Sequence, residues 1–194
     1  MSLKRCKKLL VMLLAVGLIL GLMNLAQAQP KSGFGAKAGY FMPGDEDVND
    51  IWGGGLVFGL SYLYAFPPYG IDFGAEYFSK EEEVTVFPLT VTEGWRVVPI
   101  TVTFLYFLPG MAEFSPYVGG GIGYYLARYD LDIEVAGIPV FGAPFEESGI
   151  GFHAQGGFTL GKNFFIELKY SMANIENDLE VDAGGFSIHA GARI

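Results

Sequence analysis

Phe186-Ser187-Ile188-His189-Ala190-Gly191-Ala192-Arg193-Ile194 alternates without a break. Phe186, Ile188, Ala190, Ala192 and Ile194 share one parity, while Ser187, His189, Gly191 and Arg193 share the other. A side-chain period of two is that of a strand whose faces meet different surroundings. Working back from this tail, the same alternation recurs in seven further runs. Together they predict strands at Gly33–Met42, Gly54–Phe66, Tyr69–Ser79, Trp95–Leu108, Phe114–Arg128, Gly149–Leu160, Phe164–Met172 and Gly184–Ile194. Most reach or exceed the roughly 9–11 residues that cross a bilayer at a tilt. The expected fold is all-β, an eight-stranded antiparallel up-and-down transmembrane β-barrel.

The two parities decide which face meets lipid. The second run sets Leu56, Phe58, Leu60, Tyr62, Tyr64 and Phe66 against Gly55, Val57, Gly59, Ser61, Leu63 and Ala65. The seventh sets Phe164, Ile166, Leu168, Tyr170 and Met172 against Phe165, Glu167, Lys169 and Ser171. Bulky apolar residues belong toward lipid and small or charged ones toward the lumen. A soluble barrel of the lipocalin kind inverts that arrangement. Neither parity here carries enough charge to be a water-exposed surface.

Connections after strands two, four and six are short, and those after one, three, five and seven are long. All but four of the 21 acidic residues (Asp72, Glu76, Glu113 and Glu167) fall in the long ones. That asymmetry matches short periplasmic turns and long extracellular loops. Tyr62, Tyr64, Tyr69, Tyr106 and Phe164 fall near one rim and Tyr40, Tyr77, Tyr170 and Phe186 near the other, as two interfacial girdles would. Pro99 interrupts strand four, where a bulge is expected because a closed barrel has no edge to hide a proline.

Residues 1–28 read as a cleaved secretory signal peptide. Lys4, Arg5, Lys7 and Lys8 precede an apolar core from Leu9 to Leu25 and the small-x-small site Ala26-Gln27-Ala28. Residues 29–194 then form one barrel domain. Cys6, the single cysteine, lies in the signal, so disulfide and thiolate chemistry are not expected. With the four basic residues of the signal set aside, eight Lys and Arg face 21 acids, a formal charge of −13. Nucleic acid is excluded as a partner by that balance. No cofactor is expected.

On the strand count, the signal, the Gly121-Ile122-Gly123-Tyr124-Tyr125 run and the alternating tail, the chain resembles the small eight-stranded outer-membrane barrels, the group of the OmpA membrane domain, OmpX and OmpW. In that superfamily the last strand is the assembly signal and usually ends in an aromatic residue, where this chain has Ile194. The resemblance implies a monomer in the outer membrane of a Gram-negative-type cell. It implies contact with outer-membrane lipid and lipopolysaccharide, and delivery by periplasmic chaperones to the barrel-assembly machinery. Ala38-Gly39-Tyr40 followed by Met42-Pro43-Gly44 is similar to the start of OmpW, which implies as an alternative a narrow conduit for small hydrophobic molecules.

Parity directs Lys37, Asp72, Glu76, His153, Gln155, Glu167, Lys169, His189 and Arg193 into the lumen. An eight-stranded lumen is just wide enough for side chains to fill. A paired network that plugs the barrel is therefore expected over a gated conduit, since isolated charges there are costly. Arg96 and Arg128 have lipid-facing parity at one height and are a candidate lipopolysaccharide contact, because arginine grips phosphate bidentately. Rim snorkelling or pairing with loop acids is the commoner explanation, since interfacial basic residues are routine in membrane proteins. Ser187-Ile188-His189 is the nearest approach to the His, Ser and Glu of lipid A deacylases, but it faces the lumen, so no enzyme is expected. Asp45-x-Asp47-x-Asn49 opens like a calcium loop, yet Asp50 and Leu56 stand where glycine and glutamate are needed, so no metal site is expected.

Two loops have strand character of their own: Val84 to Thr92 around Pro88, and Asp130 to Val135 before Gly137. They suggest strands continuing beyond the membrane as a protruding sheet able to meet an extracellular ligand. The apolar stretch Ile138 to Phe145 is alternatively the lining of a solute's way in. The expected function is accordingly structural or surface-interacting, with the acidic loops outward.

Overall fold

A computed structural model describes residues 31–44, 53–109, 114–161, 163–173 and 183–194. Eight strands follow one another: β1 (Gly33–Pro43), β2 (Gly55–Phe66), β3 (Tyr69–Val86), β4 (Leu89–Phe107), β5 (Phe114–Val135), β6 (Ile138–Leu160), β7 (Phe164–Met172) and β8 (Gly185–Arg193). Each pairs antiparallel with its neighbours, and β8 returns to β1 to close the barrel. Closure leaves no unpaired edge within the ring, which a bilayer demands.

The surface is inside-out relative to a soluble protein. Phe34, Leu60 and Ile150 are each 68% exposed, whereas Glu167, Lys169 and His189 are 3%, 3% and 1% exposed. Outward residues form a continuous apolar wall, with Tyr64, Phe66, Tyr69, Phe104 and Tyr106 in ring contact near the short turns. Tyr suits that depth because its ring is apolar while its phenol can reach water, and Phe adds purely apolar ring contacts beside it.

Four strands are longer than their alternation predicts. β3 to β6 have 18, 19, 22 and 23 residues, against 9 to 12 in the others. The predicted strand ends at Ser79, Trp95, Arg128 and Gly149 are therefore corrected outward, because the two intervening stretches fold as paired hairpins. One turns at Phe87-Pro88 and the other at Ala136-Gly137. Ala136 and Gly137 both have positive φ, 53° and 77°, the geometry that matches the twist of a two-residue hairpin. Pairing continues out to Val86↔Leu89 and Val135↔Ile138. The result is a four-stranded sheet running about 25 Å past the end of β2.

The bulge expected at Pro99 is absent. Ala75↔Ile100 and Phe78↔Val97 keep one register on either side of it, and Pro99 sits opposite Tyr125 without offset. The ladder to β3 is interrupted there instead, since proline has no N–H to donate. An irregularity occurs elsewhere, between Ile133 and Glu134 where β5 meets β6.

Candidate functional site

The lumen is layered. At the short-turn end Leu63, Leu105, Phe107 and Tyr117 form one apolar cluster. At the hairpin end Phe41, Val57, Phe78, Trp95, Val97, Tyr125, Ala173 and Ala183 form another. Phe41 stacks edge-on against Phe78, and Phe78 against Trp95, with ring centroids 5.0 and 5.3 Å apart. The charged residues lie between these two lids.

Lys37 Nζ stands 2.8 Å from Glu76 Oε1 and 2.9 Å from Glu167 Oε1. Lys169 Nζ donates to Glu76 Oε1 at 2.8 Å. Glu167 Oε2 accepts from Tyr117 Oη at 3.0 Å and from Gln155 Nε2 at 2.9 Å. Two ammonium groups thus balance two carboxylates, and both oxygens of Glu167 are engaged. Full pairing of this kind is the condition under which buried charge is tolerated. His189 Nδ1 lies 3.9 Å from Glu167 Oε1, and His153 Nε2 is 2.8 Å from Thr103 Oγ1. Nearer the short turns, Arg193 Nη2 approaches Asp72 Oδ1 at 3.8 Å and its guanidinium lies 4.8 Å over the Phe165 ring. The nine side chains assigned to the lumen by parity all lie there, seven around Glu76 and Glu167 and two as the separate Asp72–Arg193 pair.

Three glycines make these contacts geometrically available. Lys37, Gly59 and Glu76 are register partners on consecutive strands. A Cβ at Gly59 would stand 3.0 Å from Lys37 Cε and 3.1 Å from Glu76 Cγ, so the bare backbone lets the two side chains meet above it. Tyr117, Gly157 and Glu167 repeat the arrangement, as do Thr103, Gly121 and His153. Tyr117 and Thr103 are members of the network that parity could have supplied but charge-based reading passed over, since each carries its polar atom at the end of an otherwise unremarked lumen residue.

A cavity of about 20 Å³ lies beneath the hairpin-end cluster, against Glu76, Ser171 and Ser187, room for a single water. Ser187 and His189 both point inward, but neither ring nitrogen of His189 has a hydrogen-bond partner among the described residues, so no serine–base pair is assembled there. The calcium-like run at Asp45 and the signal segment lie outside the described residues.

On the outer wall Arg96 and Arg128 are direct register partners. Arg128 Nε donates to Asp130 at 2.8 Å and its Nη1 to Glu146 at 2.9 Å, and the Asp130 bond holds the guanidinium pKa above its ordinary value. The pair is therefore unequal: the Arg128 guanidinium is held by loop acids, whereas the Arg96 Nε is buried with no hydrogen-bond partner among the described residues. Ile138 to Phe145 forms the outer part of β6, in the protruding sheet and beyond the barrel wall.

A family model described as the outer membrane protein beta-barrel domain matches residues 12–193. The chain belongs to that family. This outer-membrane barrel is also similar in fold to solved structures. Neisserial surface protein A matches with 14% identity and a TM-score of 0.57, covering 84% of this chain and 96% of that one. Ail, the attachment invasion locus protein of Yersinia pestis, matches with 16% identity and a TM-score of 0.52, covering 86% and 99%. Ail in complex with the heparin analogue sucrose octasulfate matches with 15% identity and a TM-score of 0.53, covering 84% and 99%. No curated protein sequence matches the chain.

Proposed function

We propose that this outer-membrane barrel is a structural and surface-interaction protein, a plugged scaffold that presents the β3–β6 sheet outside the cell. The observation that carries the reading is the pairing of four strands out to Val86↔Leu89 and Val135↔Ile138. Ordering that much chain beyond the membrane opposes a large conformational entropy, and a role for the sheet accounts for it. Residues 1–28 serve as the cleaved signal, and the mature barrel works as a monomer without cofactor or catalytic group. Its surroundings are outer-membrane lipid and lipopolysaccharide, with Arg128 already held by Asp130 and Glu146. Delivery is by periplasmic chaperones and the barrel-assembly machinery.

The two apolar lids and the water-sized cavity weigh against the conduit. The attachment named for Ail suggests adhesion here too, but with different chemistry. Ail has been seen with a polyanion, whereas the sheet here carries Glu81, Glu83, Asp130, Asp132 and Glu134 on one face, which would repel one. The test is adhesion of bacteria expressing the chain to wells coated with extracellular matrix, against bacteria expressing a version with both hairpins shortened to the register partners Ser79 and Arg96, and Arg128 and Glu146. Loss of adhesion on shortening is expected. Equal adhesion by both would remove the reading.

A further inference from the structure

The two faces of the protruding sheet differ in polarity. Side chains of lumen-side parity form cross-strand rows at the tip: Val86, Leu89, Val135 and Ile138, then Val84, Val91, Ile133 and Phe141. Val84, Val86 and Ile138 are 63%, 69% and 66% exposed. The next row down holds Glu82 opposite Glu93; below them Lys80 Nζ lies 3.4 Å from Glu82 Oε1 and Tyr129 hydrogen-bonds Glu93. The other face carries the acids Glu81, Glu83, Asp130, Asp132 and Glu134 among threonines and glycines. Water on both sides would call for polar side chains on both, so an apolar face left bare marks a place where something binds.

We propose that the lumen-side face of this sheet docks a protein segment whose apolar side chains are followed by basic ones. The inference rests on the surface-interaction reading and names the partner's chemistry. Charge complementarity selects that partner: the apolar rows end on Glu82 and Glu93, two carboxylates against the Lys80 ammonium beside Glu82, and the acids behind them draw cations toward the tip. A second copy of the chain would set Glu82 and Glu93 against their own like. A bilayer would have to swallow Glu83, Asp132 and Glu134, which stand directly behind the apolar rows.

The experiment is fluorescence anisotropy of a labelled peptide of alternating leucine and lysine. It is titrated with the protein in nanodiscs of zwitterionic lipid, against empty nanodiscs and against a leucine–glutamate peptide. Binding of the leucine–lysine peptide alone is expected. A variant with Val84→Thr, Val91→Thr, Ile133→Thr and Phe141→Thr, which keeps strand propensity, should weaken it at least tenfold. Glu82→Gln with Glu93→Gln, a milder change should the first variant fail to fold, should weaken it several-fold and flatten its salt dependence. No binding by the native chain would overturn the proposal, as would unchanged binding by either variant. Loss on Asp130→Asn with Asp132→Asn, the threonine variant binding normally, would overturn it too and assign the peptide to the acidic face. Hairpin-dependent adhesion without peptide binding would leave the surface role standing and this inference fallen.

Discussion

At the scale of single residues, the lumen stands or falls on balance. Glu167 holds Lys37, Tyr117 and Gln155 at once, so Glu167→Gln leaves the Lys37 and Lys169 ammonium groups to share the one Glu76 carboxylate in a buried interior. Breaking a buried pair by removing one partner costs about 3–5 kcal/mol. The urea midpoint of the refolded barrel should fall accordingly, and adding Lys37→Met should recover part of the loss; additive losses would mean the two side chains do not depend on each other. Gly59→Val should be as damaging without touching a charge, because its side chain would occupy the gap where Lys37 meets Glu76. On the outer wall, Arg96→Ala should reduce co-purifying lipopolysaccharide more than Arg128→Ala, since Asp130 and Glu146 already occupy Arg128. Equal effects would contradict that asymmetry. Period-two alternation was enough to separate lumen residues from lipid-facing ones. Which lumen residues touch was not legible, because contact depends on strand register and on the glycines at positions 59, 121 and 157.

Elements show where local pattern reading stops short. β7 and β8 alternate cleanly, and their extents follow from sequence to within a residue or two. β3 to β6 do not, because beyond the membrane the apolar face has no lipid opposite it, and Lys80 to Glu83 then resembles a solvated loop. The strand character of Val84 to Thr92 and of Asp130 to Val135 foretells the protruding sheet; what no single run carries is its join to the barrel, where strand is maintained by the partner across the hairpin. Pro99 illustrates the same point: a missing donor is absorbed by a gap in the ladder to β3 rather than by an added residue. Because the hairpins pair mainly with one another, shortening them should leave the barrel folded, with unchanged heat-modifiable gel mobility. Loss of folding would mean the extension is part of the barrel's core. Ala136→Asn should stabilise the β5–β6 hairpin by a few tenths of a kcal/mol, since asparagine tolerates the left-handed conformation better than alanine. Slower amide exchange around Val135 and Ile138 would register it.

For the whole molecule, the proposed plug, a charged layer held between two apolar lids, would make a rigid ring and a poor channel. Liposomes carrying the refolded barrel should take up a small apolar probe no faster than empty ones, and faster uptake would restore the conduit. The ring's purpose in this account is to hold the β3–β6 sheet outside the cell. The most direct test places single cysteines at Phe87 and Gly137, in the two hairpin turns, and at Asn163 in a short turn at the other end. Intact cells are then treated with a maleimide that cannot cross the outer membrane. Labelling at 87 and 137 on intact cells, with 163 reacting only after the membrane is opened, is the predicted result. Labelling of 163 on intact cells with 87 and 137 silent would invert the barrel and contradict the account.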